Sequence, residues 1–314
     1  MQNQAVISDP IHPDRLVIRE VPFPEANAGD AVIAVTAFSL NAGEVRDAFS
    51  SDVETRPGWD IAGTIVRAAS DGTGPAIGTR VCAFAGIGGG GWARFVAVPT
   101  TSIGVVPQGV PDETASCIPV AGLTALYAIE QRGSILGRSV LVTGGTGGVG
   151  LIAAQLGIAS GAAVHVGSRR SSPELSWLME HGATSLVSEN DPLEGVRFDL
   201  ILESVGGASL ARSLSHLEED GVCVLFGNSS SQETTLAPSS FYHPGRSTLR
   251  GLFLGTEIRG REVGADLTRL LQLVALDRLH VVVGRSAVWT EIGDIARRFR
   301  EREFPGKVVL TIPE

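Results

Sequence analysis

The chain has 314 residues, of which 43% are hydrophobic and 19% charged, and its formal net charge is −9. Such a chain can bury a large core and is expected to divide into two domains. It contains no apolar run of about 18 residues and no secretory signal pattern, so we expect a cytoplasmic protein without a membrane span. The dispersed negative charge argues against binding to nucleic acid or to an anionic membrane.

The first part of the chain carries short runs of Val, Ala and Ile, punctuated by Gly and Pro. These runs occupy residues 31–37, 61–68, 80–84 and 93–98. This spacing is typical of a mostly β domain, which we expect to extend from residue 1 to about residue 120. Cys82, Cys117 and Cys223 lie far apart without CxxC spacing, so we expect buried thiols and neither a disulfide framework nor a thiolate zinc site.

Residues 139–167 have the pattern of a strand, a glycine turn, a helix and a second strand. The turn is Gly145-x-Gly147-x-x-Gly150. In such a turn the first glycine permits the tight bend, the second lets a pyrophosphate approach the backbone, and the third lets helix and strand pack closely. The helix N-terminus adds free N–H groups. The pattern predicts a dinucleotide site, and a purely structural glycine turn is the alternative.

The second strand of this segment is followed by Ser168, Arg169 and Arg170. Folds that bind NAD place an acidic residue near this point, on the ribose 2′-hydroxyl. A guanidinium instead forms forked, charge-assisted hydrogen bonds to a phosphate. The sequence therefore predicts NADPH rather than NADH, and the alternative is that these arginines are solvated charges.

Further strands are predicted at 185–187, 199–202, 222–226 and 249–254, which gives a doubly wound parallel sheet. Residues 266–279 and 290–302 have helical spacing, and residues 307–312 form a final strand. We expect this final strand to return to the first domain.

Six short motifs, in order, resemble those of the zinc-free medium-chain dehydrogenase/reductases of the quinone oxidoreductase (zeta-crystallin-like) branch. They are LNAGEVR at 40–46, PGWDIAG at 57–63, GTRV at 78–81, GWARFVAVP at 91–99, VAGLTA at 120–125 and GKVVL at 306–310. The resemblance implies an α/β fold in two domains. A GroES-like, mostly β substrate domain would comprise 1–120 and be completed by 257–314, and a Rossmann NADPH-binding domain would comprise 121–256.

Zinc-dependent members of this superfamily have Gly-His-Glu where this chain has Gly58, Trp59 and Asp60. They also carry a cysteine after the segment that holds Asn41, and a lobe of closely spaced cysteines, and this sequence has neither. Zinc requires a set of Cys, His or carboxylate ligands. We therefore expect no metal site.

The resemblance also implies roles for individual residues. Asn41 is expected beside the nicotinamide, Thr124 at its ribose, and Ser168 and Arg169 at the adenosine phosphate. The other expected cofactor contacts are Gly147, Gly148, Val149, Ser204, Val205, Phe226, Gly227, Asn228, Phe253, Leu254 and Lys307. For all but the glycines, ordinary packing or turn chemistry is the alternative. Asn41 and Tyr242 are the catalytic candidates, and Phe49, Trp59 and Tyr242 are candidates for the substrate pocket.

Without a metal, the protein's task would be to place the nicotinamide against an already electrophilic carbon. A quinone or an α,β-unsaturated carbonyl suits this chemistry, because conjugation spreads the incoming charge onto an oxygen. The alternatives are an enoyl-thioester reductase of a biosynthetic pathway and a non-catalytic NADPH-binding protein with a structural or sensing role. The resemblance also implies a homodimer, formed through the strand at 248–254.

Overall fold

The computed structural model describes residues 2–169, 172–187, 195–243 and 245–313, and only the backbone of residues 185–187. The chain divides into two compact units. Unit 1 consists of Met1–Leu123 and Ile258–Glu314, and unit 2 of Thr124–Glu257.

The secondary structure elements are as follows, in chain order. The strands are β1 Asn3–Ser8, β2 Leu16–Val21, β3 Asp30–Leu40, β4 Asp60–Arg67, β5 Arg80–Phe84, β6 Phe95–Pro99, β7 Ile103–Val105, β8 Ser139–Val142, β9 Ala163–Gly167, β10 Ser185–Val187, β11 Phe198–Glu203, β12 Leu217–Leu225, β13 Thr248–Gly251, β14 Val283–Val288 and β15 Lys307–Thr311. The α-helices are α1 Ala42–Ser50, α2 Asp112–Ser116, α3 Ile118–Glu130, α4 Gly148–Ala159, α5 Pro173–Glu180, α6 Gly207–Leu214, α7 Ser239–Tyr242, α8 Leu254–Glu257, α9 Val263–Ala275 and α10 Ile292–Arg300. Short 3₁₀ turns precede β7 and α10.

Unit 1 is built on a mostly antiparallel sheet of order β14-β15-β3-β4-β5-β7, in which β6 also pairs with β3. The long strand β3 is the centre of this sheet, and its Val and Ile side chains are buried in the core. Strand β15 lies antiparallel to β3, with Val308 opposite Leu40. The predicted return of the final strand to the first domain is thus confirmed.

Unit 2 contains a parallel sheet of order β10-β9-β8-β11-β12-β13. Its central strands are continuous apolar runs because helices connect successive parallel strands and cover both faces of such a sheet. The chain leaves β8 for β9 on one side and later returns to β11 on the other, so the strand order reverses beside β8. The predicted α/β class, a Rossmann sheet together with a mostly β part, is confirmed.

The last strand of unit 2 is shorter than predicted. We expected a strand through Leu254, but β13 ends at Gly251. The Leu252 amide donates to the Leu225 carbonyl at 2.8 Å, and Leu254 begins the short helix α8. The strand is therefore only four residues long, and the apolar residues after Gly251 lead into α8.

The three cysteines are free and buried, as predicted. Within the described ranges, no helix combines the length and apolar character needed to cross a bilayer.

Candidate functional site

Strand β8 leads directly into the glycine turn of unit 2, and α4 follows it. The Gly145 amide donates to the Gly167 carbonyl at 2.9 Å, so the turn lies beside the end of β9. Gly147 is the N-cap of α4, no side chain caps this helix end, and no acidic residue lies in its first turn. The uncapped N-terminus can therefore offer N–H groups and a positive dipole end to an anion.

The three glycines of the turn differ in the space around them. A Cβ on Gly145 would lie 2.1 Å from Val166 Cγ1, and a Cβ on Gly150 would lie 2.4 Å from the Gly144 carbonyl oxygen. A Cβ on Gly147 would meet only the Gly144 oxygen, at 3.3 Å. Gly145 and Gly150 are thus required by packing, whereas exposed Gly147 leaves room in front of the helix.

Ser168 and Arg169 directly follow β9, one and two residues after the Gly167 carbonyl that accepts from Gly145. Ser168 is half-buried and Arg169 is exposed. The structure therefore brings these two residues and the glycine turn together at the carboxyl ends of β8 and β9. Arg170 lies outside the described residues.

The segments after β11 and β12 meet at the same edge of the sheet. The Ser204 amide donates to Thr143 Oγ1 at 2.9 Å, and its hydroxyl donates to the Thr143 carbonyl at 3.1 Å. The amides of Ser229 and Ser230 donate to the carbonyls of Ser204 and Val205, at 3.0 and 2.8 Å. These bonds hold the segment after β11 next to the segment after β12. Five of the predicted cofactor contacts lie on these two segments, namely Ser204, Val205, Phe226, Gly227 and Asn228.

The remaining candidates of unit 2 lie at separate places. Thr124 is buried on α3, and Leu254 is buried at the start of α8. Phe253 is 55% exposed, and Tyr242, at the end of α7, is 71% exposed. The side chains of Tyr242 and Phe253 are thus largely open to solvent, and their expected site roles stay predictions.

Unit 1 contains a buried polar cluster of Asn41, Glu44, Asp60 and Lys307, which we call the Asp60 cluster. Lys307 Nζ donates to Asp60 Oδ2 at 3.0 Å, to Asn41 Oδ1 at 2.6 Å and to the Leu40 carbonyl at 3.1 Å. Asn41 Nδ2 donates to Asp60 Oδ2 at 2.8 Å and to Glu44 Oε1 at 2.9 Å. The ammonium and amide hydrogens of these two residues are thus occupied inside unit 1.

This arrangement gives Asn41 and Lys307 a role that sequence reasoning missed. Both were expected at the cofactor, but here they hold β15, the end of β3 and the start of β4 together. The cofactor contacts expected for them stay predictions. Glu44, which lies in the LNAGEVR motif, completes the cluster and also accepts a hydrogen bond from the Trp59 amide at 2.7 Å.

Burial and the nearby Asp60 carboxylate raise the pKa of Glu44 to about 8. Lys307 and the Asn41 hydrogen bonds act in the opposite direction. Burial dominates because Glu44 is only 2% exposed. The pKa of Glu44 therefore lies close to neutral pH.

The candidate pocket residues of unit 1 differ in their surroundings. Trp59 is half-buried, and its Nε1 donates to the Ile87 carbonyl at 2.9 Å. A Cβ on Gly43 would lie 2.9 Å from the Trp59 ring, so the glycine makes room for the indole. Phe49 packs partly against the core, and the Arg300 guanidinium lies 4.5 Å from its ring centroid. Trp59 therefore has a fixed orientation, and Phe49 is covered on one side.

The donor atoms at the positions that bind zinc in related dehydrogenases are already used. Asp60 Oδ2 accepts from Ser39, Asn41 and Lys307, and Oδ1 accepts the Val120 amide at 2.8 Å. Within the described ranges, no group of three His, Cys, Asp or Glu side chains could hold a metal.

Two family models match the chain. The alcohol dehydrogenase GroES-like domain matches residues 27–108, and the zinc-binding dehydrogenase model matches residues 148–275. These ranges together cover more than half of the 314 residues. The chain therefore belongs to the medium-chain dehydrogenase/reductase family, as its motifs predicted, and it is an oxidoreductase. Proteins of this family bind NAD(P).

Curated relatives include reductases and much longer synthases. The highly reducing polyketide synthase azaB of Aspergillus niger is 28% identical over 89% of this chain, but the match spans 12% of the synthase. The 2-methylene-furan-3-one reductase of Solanum lycopersicum is 29% identical over 66% of this chain and 57% of the reductase. The chain thus spans only a small part of the synthases it matches.

Solved structures of the same fold cover nearly the whole chain. The quinone oxidoreductase of Coxiella burnetii is 24% identical, with a TM-score of 0.85 over 100% of both chains. Mycobacterial Rv1454c, solved in complex with NADPH, is 22% identical, with a TM-score of 0.86 over 98% of this chain and 99% of its own. At this identity, the likeness establishes the fold.

Proposed function

We propose that this oxidoreductase is a metal-independent, NADPH-dependent reductase of quinones or α,β-unsaturated carbonyl compounds. The observation that carries the proposal is that the predicted cofactor contacts of several segments lie together at the carboxyl edge of the unit 2 sheet. There the uncapped α4 N-terminus, Ser168 and Arg169, and the segments after β11 and β12 lie side by side. Nucleotides bind at this edge of doubly wound sheets, where the strand order reverses.

In this proposal, Gly147, Gly148 and Val149 hold the pyrophosphate with their backbone amides. Gly147 suits this contact because it is exposed, and because no side chain of the described residues caps the helix. Ser168 and Arg169 bind the adenosine 2′-phosphate. Ser204, Val205 and the Phe226–Asn228 segment line the nicotinamide half, and Thr124 binds the adjoining ribose. The residues present thus fit NADPH.

When bound, this cofactor supplies a hydride at nicotinamide C4. The chain's own residues orient the substrate and provide a proton. Trp59 presents a fixed aromatic surface, which suits a planar conjugated compound. Exposed Tyr242 is our candidate for donating the proton to the reduced oxygen or carbon.

The donor atoms of Trp59 and Asp60 support the metal-independent part of this proposal. Trp59 offers no lone pair for zinc, and Asp60 is saturated by four hydrogen bonds. We expect elemental analysis of purified protein to find no stoichiometric zinc, and activity to survive chelators. One zinc per chain, lost together with activity on chelation, would refute this part of the proposal.

A second candidate activity is reduction of an enoyl thioester. The polyketide synthase matches favour it, since this chain aligns with part of such synthases over 89% of its length. Quinone or enone reduction and enoyl-thioester reduction differ in the bulk of the substrate and in the need for a proton donor. The end of α1 and the residues that follow it, 47–56, contain no Tyr that could donate this proton.

The proposal is tested by measuring NADPH binding through nicotinamide fluorescence, and then NADPH oxidation with matched panels of quinones, cyclic enones and enoyl thioesters. We expect tight NADPH binding and turnover of quinones or enones. Faster turnover of enoyl thioesters would favour the second candidate, and tight binding without any turnover would favour a non-catalytic role. Absence of NADPH binding would overturn the proposal.

A further inference from the structure

The carboxyl edge of the unit 2 sheet contains a buried carboxylate that the proposed chemistry does not use. Glu203, the last residue of β11, is 0% exposed. Its Oε1 accepts the amides of Val205 and Gly206 at 2.7 and 3.0 Å. Its Oε2 accepts the hydroxyls of Ser209 and Ser213, each at 3.1 Å. Four neutral donors thus converge on one carboxylate.

These donors come from two different segments. Val205 and Gly206 belong to the turn after β11, and Ser209 and Ser213 lie on α6. Gly206, the N-cap of α6, has φ of +75°, and a Cβ there would lie 2.3 Å from Asn228 Oδ1. The Glu203 side chain therefore ties the strand, the turn and the helix into one arrangement.

The turn held by Glu203 is itself packed against the segment after β12. Ser229 and Ser230 donate to the Ser204 and Val205 carbonyls, and a Cβ on Gly227 would lie 2.8 Å from the Ser204 carbonyl oxygen. A change in the backbone of the turn would thus displace the second segment as well. Removing a buried acceptor leaves backbone N–H groups unpaired, which favours such a rearrangement.

We propose that Glu203 is a positioning residue for the nicotinamide half of the NADPH site. Its carboxylate fixes the backbone of Ser204 and Val205 without touching the cofactor. This inference rests on the proposed function, because it takes those two residues as cofactor contacts. Its effect should appear in cofactor affinity and not only in stability.

The test compares Glu203→Ala with Glu203→Gln in the full chain, using NADPH titration and urea unfolding. In Glu203→Ala two loop amides lose their acceptor, and we expect the Kd of NADPH to rise about tenfold or more. A glutamine can keep its amide oxygen on the two backbone N–H groups and turn its NH₂ towards the serine hydroxyls, which also accept. We therefore expect Glu203→Gln to restore most of the affinity.

Asp199 provides a matched control, since it is a carboxylate on the same strand at the opposite end. Its Oδ2 accepts the Ser139 amide at 3.0 Å, and its Oδ1 accepts from Arg138 at 2.8 Å. Asp199→Ala should lower the urea midpoint while leaving the NADPH Kd unchanged. Ser209→Ala combined with Ser213→Ala should also keep the affinity, because the loop amides retain Glu203.

The outcomes distinguish failure of the proposed function from failure of the positioning role of Glu203. If the wild-type protein does not bind NADPH, the proposed function itself fails. If it binds, and Glu203→Ala binds equally well or Asp199→Ala loses affinity to the same extent, the positioning role is wrong. Should Glu203→Ala not fold, Glu203→Met replaces it, because a methionine fills a similar volume but offers the two loop amides no comparable acceptor. Unchanged NADPH affinity in that variant would overturn the inference.

Discussion

At the residue scale, Arg169 is the residue expected to distinguish NADPH from NADH. A charge-assisted contact to the 2′-phosphate contributes about 1.5–3 kcal/mol, so wild-type protein should bind NADPH at least about tenfold more tightly than NADH. Arg169→Ala should remove most of this preference and leave NADH binding nearly unchanged. Fluorescence titration with both cofactors measures the ratio.

The matched control for this substitution is Arg246→Ala. Arg246 is also an exposed arginine of unit 2, and it pairs with Asp220, near the start of β12, at 2.6 Å. The NADPH to NADH ratio should be unaffected by its removal. Equal affinity of the wild-type protein for both cofactors would contradict the role of Arg169.

Glu44 makes the stability of the protein depend on pH in a direction opposite to that of most carboxyl groups. Its folded-state pKa of about 8 lies above the reference value of 4.5, so the folded state retains a proton that the unfolded state releases. Its contribution to stability is therefore complete below pH 4.5 and is lost as the pH rises through about 8. We expect Glu44→Gln to flatten this decline in urea midpoints measured between about pH 5 and pH 9.

Glu54→Gln is the control, because Glu54 is an exposed carboxylate of unit 1 that pairs with Arg19. It should leave the slope of midpoint against pH as in the wild-type protein. If Glu44→Gln shows the wild-type slope, then Glu44 does not retain a proton in the folded state.

At the scale of elements, two substitutions in the glycine turn between β8 and α4 should have different effects. One should lower stability, and the other should lower NADPH affinity. Gly150→Ala places a Cβ 2.4 Å from the Gly144 carbonyl oxygen, and we expect a loss of about 2 kcal/mol or more in the free energy of unfolding. Gly147 has φ of −81°, which an alanine can adopt, and its Cβ would make no severe clash. The stability of Gly147→Ala should therefore stay close to that of the wild-type protein. Its methyl group would nevertheless stand where the pyrophosphate approaches, so NADPH affinity should fall about tenfold or more.

Thermal unfolding and NADPH titration of both variants check this prediction. Gly148→Ala is unsuitable as a control because it shares the proposed anion site. Gly137→Ala, in a turn of unit 2 before β8, should leave NADPH affinity unchanged, although its positive φ of +70° is expected to cost stability. Normal NADPH affinity in Gly147→Ala would contradict the proposed approach of the phosphate.

The elements that could be predicted from sequence are those with a strong local signal. Apolar β-branched runs identified β3, β4, β5 and the central strands of unit 2. Strands β1, β2, β7 and β14 were not predicted. Strands β2 and β14 mix charged or small residues with apolar ones, and β7 has only three residues. The end of β13 was also misplaced, since a run of Leu and Phe gives no sign of where a strand leaves its sheet.

In the candidate site, too, only residues that lie close together in sequence could be predicted as a group. The glycine turn and Ser168–Arg169 could be predicted because their residues are close in sequence and their chemistry is local. The Asp60 cluster could not, because Asp60 and Lys307 are 247 positions apart and meet only through the pairing of β15, β3 and β4. Glu203 gave one weak signal, a single acidic residue closing an apolar strand, but nothing in the sequence indicated its four donors.

At the scale of the whole molecule, the exposed edge of the unit 2 sheet bears on assembly. Strand β13 is the last in the described sheet order, and Thr248, Arg250 and Gly251 on it are exposed. An uncovered edge strand can pair with another chain, and proteins manage such edges by covering or closing them. Pairing of two copies across a two-fold axis would extend the sheet and cover both edges together.

We therefore predict a homodimer formed through the 248–254 segment, with Phe253 in the interface. Phe253 is 55% exposed, whereas Leu252 is 7% exposed and packs within its own unit, so Phe253→Lys is the substitution that acts on assembly without opening the core. Leu276→Lys, at a 64% exposed apolar position of unit 1, is the matched control and should leave the dimer intact. Light scattering at micromolar concentration should show a wild-type dimer and a Phe253→Lys monomer. A monomeric wild-type protein would mean that the β13 edge is left unpaired in solution.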